Sequence, residues 1–347
     1  MKVTLIPGDG IGPEIVESVK KIFIAAGVPI EWEEINAGIS VMDDNGGNPL
    51  PEALLESIRK NKFALKAPLT TPVGTGFRSV NVSLRKELDL YANIRPINSI
   101  EGVETPFKNV HITIVRENTE GLYSGVEHYV GKDAAETIKI ITRSASERIG
   151  RYALELQKWR NIISPTRLTI VHKANIQKFT DGLFLESVKS VHEKEYGGLF
   201  NVDDKIIDNM CMQLVQRPQT FDIIVAPNFY GDILSDLCAG LIGGLGVAPG
   251  ANIGDECEVY EAIHGTAPDI AGKGIANPTS LILSATMMLK SMKMNKMFGN
   301  EMVGHGLDIE SAVLKTIKEG KFLTSDLGGN SSTMEFTDAI ISNIRVK

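Results

Sequence analysis

The residues NFYGDILSD occupy positions 228–236, after the apolar run 221–227 and before the glycine-rich segment 237–254. An apolar run of this length, followed by a helix-compatible segment, indicates a buried strand that leads into a helix. A helix that has begun by Asp232 places Asp232 and Asp236 at positions i and i+4, so both side chains lie on one face at the mouth of a sheet. Two carboxylates in this arrangement suit a hard divalent cation.

Length and charge limit the class of protein. A chain of 347 residues is long enough for about two domains of roughly 150 residues each. Its 43% hydrophobic residues, 23% charged residues and formal net charge of -7 are typical of a soluble globular protein without the basic excess that nucleic-acid binding requires. The longest uncharged run, residues 237–254, contains six glycines, which argues against a membrane-spanning helix. We therefore expect no nucleic-acid partner and no membrane partner.

The cysteines and the first residues bear on the compartment. Cys211, Cys238 and Cys257 are too far apart for a Cys-x-x-Cys site, and we interpret them as buried apolar residues in a reducing compartment. The chain begins MKVTLIPGDG and enters a predicted strand at once, which leaves no room for a targeting segment. We expect a cytoplasmic protein, or a protein of the mitochondrial matrix if a transit peptide has been removed.

Alternating strands and helices predict an α/β protein in which helices cover a sheet. The predicted strands are residues 3–6, 110–115, 137–142, 167–171 and 221–227. The predicted helices are residues 13–26, 51–60, 81–88, 203–216, 279–294, 309–319 and 333–344. Ser144 and Glu147 have the spacing of a capping box at the start of a further helix.

The first loop of the chain is glycine-rich. Gly8, Gly10 and Gly12 are spaced G-x-G-x-G rather than G-x-G-x-x-G, and no acidic residue follows at the distance that the dinucleotide fingerprint requires. This spacing favours a tight structural turn over a turn that wraps a nucleotide.

Arginines and small polar residues gather around the predicted helix 81–88. Ser79, Asn81 and Arg85 lie at its start or within it, and Arg95 follows it. Helix N-termini and arginine side chains bind carboxylates well, so this cluster suits an acidic substrate. A solvated helix face is an equally good interpretation of this segment taken alone.

Two further loops carry candidate residues at the ends of predicted strands. Arg116 and Tyr123 flank the loop after strand 110–115, and Lys173 follows strand 167–171. A lysine beside a strand exit can be desolvated, which lowers its pKa and suits it to proton transfer, although most lysines are only solvated. Asp208, considered alone, would ordinarily be a surface charge.

Six motifs that occur in a fixed order carry a family resemblance. They are IPGDGIGPE, the S-x-N-x-x-x-R pattern at 79–85, RENTEGLYSG, VHKANI, NFYGDILSD and HGTAPDIAGKGIANP. Together they resemble the isocitrate/isopropylmalate dehydrogenase family of β-decarboxylating dehydrogenases and, within it, the NAD-dependent isocitrate enzymes. The resemblance covers nearly the whole chain.

The resemblance implies a two-domain α/β fold that is not a Rossmann fold. Residues 1–95 and 253–347 would form a discontinuous large domain with the cofactor-binding loops. Residues 96–252 would form a small domain with the dimerisation surface and the metal site. The family forms dimers with shared active sites, so we expect a homodimer, possibly within a higher oligomer, in which residues 125–142 form an arm between the two chains.

The resemblance also implies the reaction, a step of the tricarboxylic acid cycle. Isocitrate would be oxidatively decarboxylated to 2-oxoglutarate and CO2, with NAD as oxidant and Mg²⁺ or Mn²⁺ as metal cofactor. Arg85, Arg95 and Arg116 would bind the substrate carboxylates. Ser79 and Asn81 would contact the γ-carboxylate, and this pair resembles the isocitrate enzymes rather than their relatives.

The implied metal ligands and catalytic groups come from two subunits. Asp232 and Asp236 would hold the cation together with Asp208 of the partner subunit. Tyr123 would protonate the enolate that remains after CO2 leaves, and Lys173 of the partner subunit would lie near the substrate hydroxyl. The group that removes the hydroxyl proton stays open between Lys173 and the metal-site aspartates.

The implied NAD site lies in the last glycine-rich loop. Its residues are His264, Gly265, Thr266, Ala267, Asp269, Ile270 and Asn277. Relatives that use NADP carry Lys-Tyr in place of Asp269 and Ile270, and a carboxylate accepts hydrogen bonds from ribose hydroxyls but repels a 2′-phosphate. Residues 326–344 also lack any lysine or arginine that could bind such a phosphate.

Two alternatives remain open at this stage. The chain could oxidise homoisocitrate, 3-isopropylmalate or tartrate with the same catalytic groups. It could also be a non-catalytic regulatory subunit of a hetero-oligomeric isocitrate dehydrogenase, although it retains Tyr123, Lys173, Asp208, Asp232 and Asp236.

Overall fold

The computed structural model describes residues 1–42, 48–70 and 79–344. The strands are β1 (Lys2–Ile6), β2 (Glu31–Glu34), β3 (Phe63–Lys66), β4 (Ala92–Asn98), β5 (His111–Glu117), β6 (Glu127–Val130), β7 (Ala134–Thr137), β8 (Arg167–His172), β9 (Asn201–Ile206), β10 (Ile223–Ala226), β11 (Pro249–Ile253) and β12 (Glu258–Ala262). The α-helices are α1 (Gly12–Ala25), α2 (Glu52–Asn61), α3 (Val80–Glu87), α4 (Arg143–Asn161), α5 (Thr180–Tyr196), α6 (Ile207–Gln216), α7 (Asn228–Leu241), α8 (Thr279–Leu289), α9 (Met292–Phe298), α10 (Glu301–Glu319) and α11 (Thr333–Asn343). This mixture confirms the α/β class. Over the described residues, no helix combines the length and apolar character that crossing a membrane would need.

Two compact units make up the chain. The first contains Met1–Leu88, Ser99–Pro106 and Ile242–Lys347, and the second contains Asp89–Asn98 and Phe107–Leu241. The first unit has the strand order β2-β1-β3-β12-β11, in which the β11–β12 pair is antiparallel and the other pairs are parallel. The second unit has the order β4-β5-β10-β8-β9, in which the β4–β5 pair is antiparallel and the others are parallel.

Helix α8 forms the centre of the first unit. It is apolar on nearly all sides and buried along almost its whole length, as expected for a helix inside a core. It packs against β3, β11 and β12, so the core of this unit lies between α8 and the sheet.

The β10–α7 connection has the predicted form. All residues of β10 are buried, as expected for a strand with a neighbour on each side. Helix α7 begins at Asn228 and includes both Asp232 and Asp236. The prediction that these aspartates lie one helical turn apart is therefore confirmed.

The segment predicted as strand 137–142 differs in the structure. Instead, β6 and β7 form a two-stranded antiparallel hairpin in which every residue is exposed, and only a single bridge joins Gly121 to Ile140. The predicted capping box at Ser144 is also wrong, because Thr142 caps α4 by accepting a hydrogen bond from the Ala145 backbone.

Two predicted helices have different bounds in the structure. The predicted helix 203–216 begins only at Ile207, because residues Asn201–Ile206 pair with β8 as strand β9. The predicted helix 279–294 divides at Ser291, whose side chain caps α9. Strands β2, β3, β4, β6, β11 and β12 and helix α5 were not predicted.

Candidate active site

Arg116, Asn228 and Asp232 form the centre of the candidate site in the second unit. Arg116 is at the end of β5 and is only 1% exposed. Its Nε donates to Asn228 Oδ1 at 3.0 Å and its Nη2 to the same oxygen at 2.8 Å, while Nη1 donates to Asp232 Oδ1. Gly231 permits this approach, because a Cβ there would lie 2.6 Å from Arg116 Cγ. The glycine of the NFYGD motif thus brings α7 against β5.

Tyr123 joins this group from the loop after β5. Its hydroxyl donates to Asp232 Oδ2, and its ring centroid lies 5.2 Å from the Arg116 guanidinium carbon. The Asp232 carboxylate therefore accepts hydrogen bonds from an arginine and a tyrosine, one on each oxygen. The structure brings together three of the predicted site residues here.

Asp236 and Arg95 extend the same site. Asp236 follows Asp232 by one turn of α7. Burial raises the pKa of Asp236, the charge of Arg95 opposes this, and the charge of Asp232 adds to it. Arg95 is 4% exposed and donates from Nε to Asn93 Oδ1 at 2.8 Å. The two carboxylates can bind a cation, and the two buried arginines can bind anionic groups. The site therefore suits a ligand with both cationic and anionic parts.

Lys173 and Asp208 form a separate pair in this unit. Lys173 lies just after β8, as predicted, and its ammonium group donates to Asp208 in the first turn of α6. The hydrogen bond from Lys173 lowers the pKa of Asp208. Among the described residues, no three His, Cys, Asp or Glu side chains lie close enough to hold a metal ion together. Asp208 is therefore not assembled with Asp232 and Asp236 within one chain.

Arg85 lies in a buried ionic cluster of the first unit that sequence reasoning missed. Its Nη2 donates to Glu261 Oε1 at 3.1 Å, and the Lys66 ammonium lies 2.9 Å from Glu261 Oε2. Asn252 donates to the same carboxylate at 2.8 Å. Lys66 and Glu261 have side chains only 3% and 5% exposed. The available signal was Lys66 at the end of an otherwise apolar segment and Glu261 in a short segment that contains glutamates among apolar residues.

Ser79 and Asn81 lie at the start of α3. Ser79 occupies the N-cap position but does not cap the helix with its side chain. Asn81 Oδ1 is buried and accepts no hydrogen bond from the described residues. The glycine-rich part of the preceding segment, residues 71–78, lies outside the described residues.

The predicted cofactor loop follows β12 in the first unit. Burial lowers the pKa of His264, so its ring is neutral near pH 7. Its Nε2 is buried and has no hydrogen-bond partner in the described part of the chain. The Ile11 backbone donates to Thr266 O at 3.0 Å, and a Cβ on Gly10 would lie 2.1 Å from that oxygen. The N-terminal glycine turn is thus a close packing contact for this loop.

The remaining predicted cofactor residues lie in the same loop or shortly after it. Ala267 has a φ of 41°, a left-handed conformation that is uncommon for a residue with a Cβ. Asp269 is exposed in the short turn Pro268–Ile270. Asn277 donates to Asp326 Oδ2 at 2.9 Å and accepts from the Thr279 backbone at 3.0 Å. An unpartnered buried imidazole nitrogen and an exposed carboxylate on one loop fit a ligand that carries a heterocycle and hydroxyl groups.

The isocitrate/isopropylmalate dehydrogenase family matches residues 2–340, which is nearly the whole chain. The chain belongs to this family. The predicted fold is confirmed by the crystal structure of isocitrate dehydrogenase from Methylococcus capsulatus, which has a TM-score of 0.92, 48% identity and 99% coverage of both chains.

Relatives of the chain carry two kinds of name. A mitochondrial protein of Drosophila melanogaster, named as the probable alpha subunit of NAD isocitrate dehydrogenase, is 49% identical over 99% of this chain and 87% of its own length. A mitochondrial protein of Dictyostelium discoideum, named as a regulatory subunit of NAD isocitrate dehydrogenase, is 52% identical over 99% of this chain and 92% of its own length. Overall identity therefore does not separate relatives named alpha from those named regulatory.

Proposed function

We propose that the chain catalyses the oxidative decarboxylation of isocitrate to 2-oxoglutarate and CO2, with NAD as oxidant and Mg²⁺ or Mn²⁺ as metal cofactor. The observation that carries this proposal is the Arg116–Asp232–Tyr123 arrangement, which combines an anion-binding group, a metal-binding group and a proton donor. Relatives about half identical in sequence are named NAD isocitrate dehydrogenase subunits.

Arginines bind the substrate in this proposal. Arg116 and Arg95 are held almost completely buried, so their planar guanidinium groups present fixed donors to carboxylate oxygens. Arg85 is fixed by Glu261 and supplies a third cationic group. Ser79 and Asn81 contact the γ-carboxylate, and the buried Asn81 Oδ1 without a partner among the described residues supports a role in binding.

The metal-binding residues in this proposal are Asp232 and Asp236, with Asp208 of the partner subunit. The donor chemistry fits, because aspartate oxygens are the ligands that Mg²⁺ and Mn²⁺ prefer. A bound divalent cation stabilises the negative charge that develops on the substrate oxygen as CO2 leaves.

Tyr123 and Lys173 handle protons. Tyr123 would donate its proton to the carbon that loses CO2, and its hydrogen bond to Asp232 supports this role because Asp232 is a proposed metal ligand. Lys173 of the partner subunit lies near the substrate hydroxyl and shares its proton-transfer path. The loop from His264 to Asn277 would bind NAD, which would supply the hydride acceptor for the carbon that carries this hydroxyl.

A second copy of the chain completes the site in this proposal. The Lys173–Asp208 pair lies on the surface of its own unit, and the neighbouring Ile176 and Phe179 are 69% and 92% exposed. Large apolar side chains this exposed favour a protein partner. The exposed β6–β7 hairpin supports the same conclusion. The domains of this proposal follow the two compact units, because bounds at 95–96 and 252–253 would cut through β4 and β11. A mitochondrial matrix location also belongs to the proposal, and the mitochondrial relatives support it.

A panel of substrates and cofactors tests the proposal on the purified chain. Isocitrate with NAD and Mg²⁺ should give the highest kcat/KM among isocitrate, homoisocitrate, 3-isopropylmalate and tartrate. The Ser79→Leu variant should lose most isocitrate turnover, and an unchanged preference for isocitrate would contradict the role of Ser79. A higher rate with NADP than with NAD would contradict the cofactor assignment.

A regulatory subunit is the second candidate function, favoured by the relative from Dictyostelium discoideum. In that case the purified chain would have no metal-dependent activity alone and would raise the activity of a separate catalytic subunit. Size measurement of the purified chain distinguishes the assemblies, because the catalytic proposal requires at least a homodimer.

A further inference from the structure

Asp181 is a fully buried carboxylate close to Lys173. It lies in the first turn of α5, and its side chain is 0% exposed. Oδ2 accepts a hydrogen bond from the Lys173 backbone N–H at 2.7 Å, and Oδ1 accepts one from the Lys139 ammonium group. A negative charge at the start of a helix is favourable, but that position alone does not require complete burial.

Lys139 and Tyr230 enclose the same carboxylate. The Lys139 ammonium also donates to Gln177 Oε1 at 2.6 Å and lies 4.7 Å from the centroid of the Tyr230 ring. Burial raises the pKa of the Tyr230 hydroxyl, and the nearby negative charge of Asp181 adds to this effect. Tyr230 precedes Asp232 by two residues on α7. The Asp181–Lys139 pair therefore contacts the turn that carries Lys173 through Asp181, and the helix that carries the candidate metal ligands through Lys139.

The turn after β8 is held at both backbone polar groups of Lys173. Its N–H is bound by Asp181, and its carbonyl oxygen accepts from the Ile176 and Gln177 backbones, each at 2.9 Å. With both groups fixed, the direction in which the Lys173 side chain leaves the backbone is also fixed. A buried carboxylate without a cation would be strongly destabilising, so Lys139 meets a separate requirement as its counter-ion.

We propose that Asp181 is a positioning residue that fixes Lys173 for proton transfer, and that Lys139 acts only as the counter-ion of Asp181. The role of Lys173 in proton transfer rests on the proposed function, whereas the hydrogen bond between Asp181 and the Lys173 backbone does not. The competing explanation is that Asp181 exists only to neutralise the buried end of Lys139.

A double variant separates these explanations. Asp181→Leu removes both acceptor oxygens, leaves Lys139 without a carboxylate partner and should lower both Tm and kcat. Combining Asp181→Leu with Lys139→Met removes the unpaired cation and should restore much of the Tm. If Asp181 positions Lys173, kcat of the double variant should stay about 10- to 100-fold below wild type, because small displacements of a reacting group cost this much. The KM for isocitrate should change little, since the arginines that bind substrate are untouched.

Asp222 supplies a matched control at the opposite end of the same strand. Its Oδ2 accepts from the Arg167 backbone N–H at 2.9 Å, at the start of β8. Asp222→Leu therefore removes a comparable contact between a carboxylate and the backbone, and we expect a lower Tm with kcat near that of wild type.

Hydrogen exchange measured by mass spectrometry provides a readout that does not depend on activity. Exchange in residues 173–180 should be faster in the double variant than in wild type, and unchanged in Asp222→Leu. Recovery of wild-type kcat in the double variant, or unchanged exchange there, would overturn the proposal. Lys173→Met tests the proposed function separately. If this variant turns over isocitrate as fast as wild type does, Lys173 has no role in proton transfer. The exchange measurement would still show whether Asp181 fixes the turn.

Discussion

The Tyr123 hydroxyl donates a hydrogen bond to Oδ2 of Asp232, and Arg116 donates to the other oxygen of the same carboxylate. The loop after β5 and the helix after β10 thus meet at one side chain. The parallel β5–β10 pairing explains the meeting, because the exits of neighbouring parallel strands lie at the same edge of a sheet.

Tyr123→Phe tests the proton donor. The variant keeps the aromatic ring beside Arg116 and loses only the hydroxyl, so substrate binding should survive. We expect kcat to fall about 10²- to 10⁴-fold, the usual contribution of a positioned acid, with a much smaller change in KM for isocitrate. Steady-state rates and the exchange of the 2-oxoglutarate C3 hydrogens with D2O measure the effect. Exchange at the wild-type rate would contradict the assignment.

Asp232→Asn tests the metal-binding carboxylate. Helix α7 begins at Asn228, so Asp232 lies inside the helix and does not act as its cap. We expect a folded protein whose metal-dependent turnover is at least about 100-fold lower, because neutral asparagine is a poorer ligand for a hard cation. Circular dichroism and Mn²⁺ titration of the rate measure fold and function. Ser235→Ala removes a hydroxyl that donates to the Asp232 carbonyl at 2.8 Å and to Asp236 Oδ1 at 3.4 Å. It leaves both carboxylates in place, so this control on the same helix should keep most activity. Unfolding of Asp232→Asn would favour a structural role.

The sequence predicted those parts of the site that lie within a few consecutive residues. The apolar run of β10 and the following helix placed Asp232 and Asp236 correctly, because both elements are visible in consecutive residues. The pairing of Lys66 with Glu261 could not be predicted in this way. Lys66 on β3 and Glu261 on β12 are far apart in sequence. They lie side by side only because these two strands pair.

Strand β9 shows the same limit for the fold. Residues Asn201–Ile206 contain two aspartates and a lysine and precede a helical pattern, so the sequence favoured an earlier start of the helix. Pairing along the whole of β8 overrides that local preference. The proposed metal site shared by Asp208 and Asp232 is a further case, because the described residues of one chain form no such site.

Glu120 gives a test of pH dependence outside the metal site. Burial raises the pKa of its carboxyl group to about 7, although the Thr142 backbone and hydroxyl donate to it at 2.9 and 2.8 Å. The folded state therefore binds this proton more tightly than the unfolded state does, and the free energy of unfolding should fall as pH rises from about 4.5 to 7. In Glu120→Gln this contribution is absent. The stability of the variant relative to wild type should rise over this interval in urea denaturation, and a constant difference would contradict the raised pKa.

The double substitution Asp269→Lys with Ile270→Tyr tests the basis of cofactor choice. Asp269 is exposed on the turn Pro268–Ile270, so a longer side chain can be accommodated there without disturbing the core. Lysine would remove the acceptor for the ribose hydroxyls and attract a 2′-phosphate, so the ratio of kcat/KM for NAD to that for NADP should fall by about 10²-fold or more. Initial rates with both cofactors at saturating isocitrate measure this ratio. Asp326→Asn is the control on the neighbouring carboxylate that binds Asn277, and it should weaken NAD binding without favouring NADP. An unchanged ratio in the double variant would place discrimination of the 2′-phosphate elsewhere in the first unit.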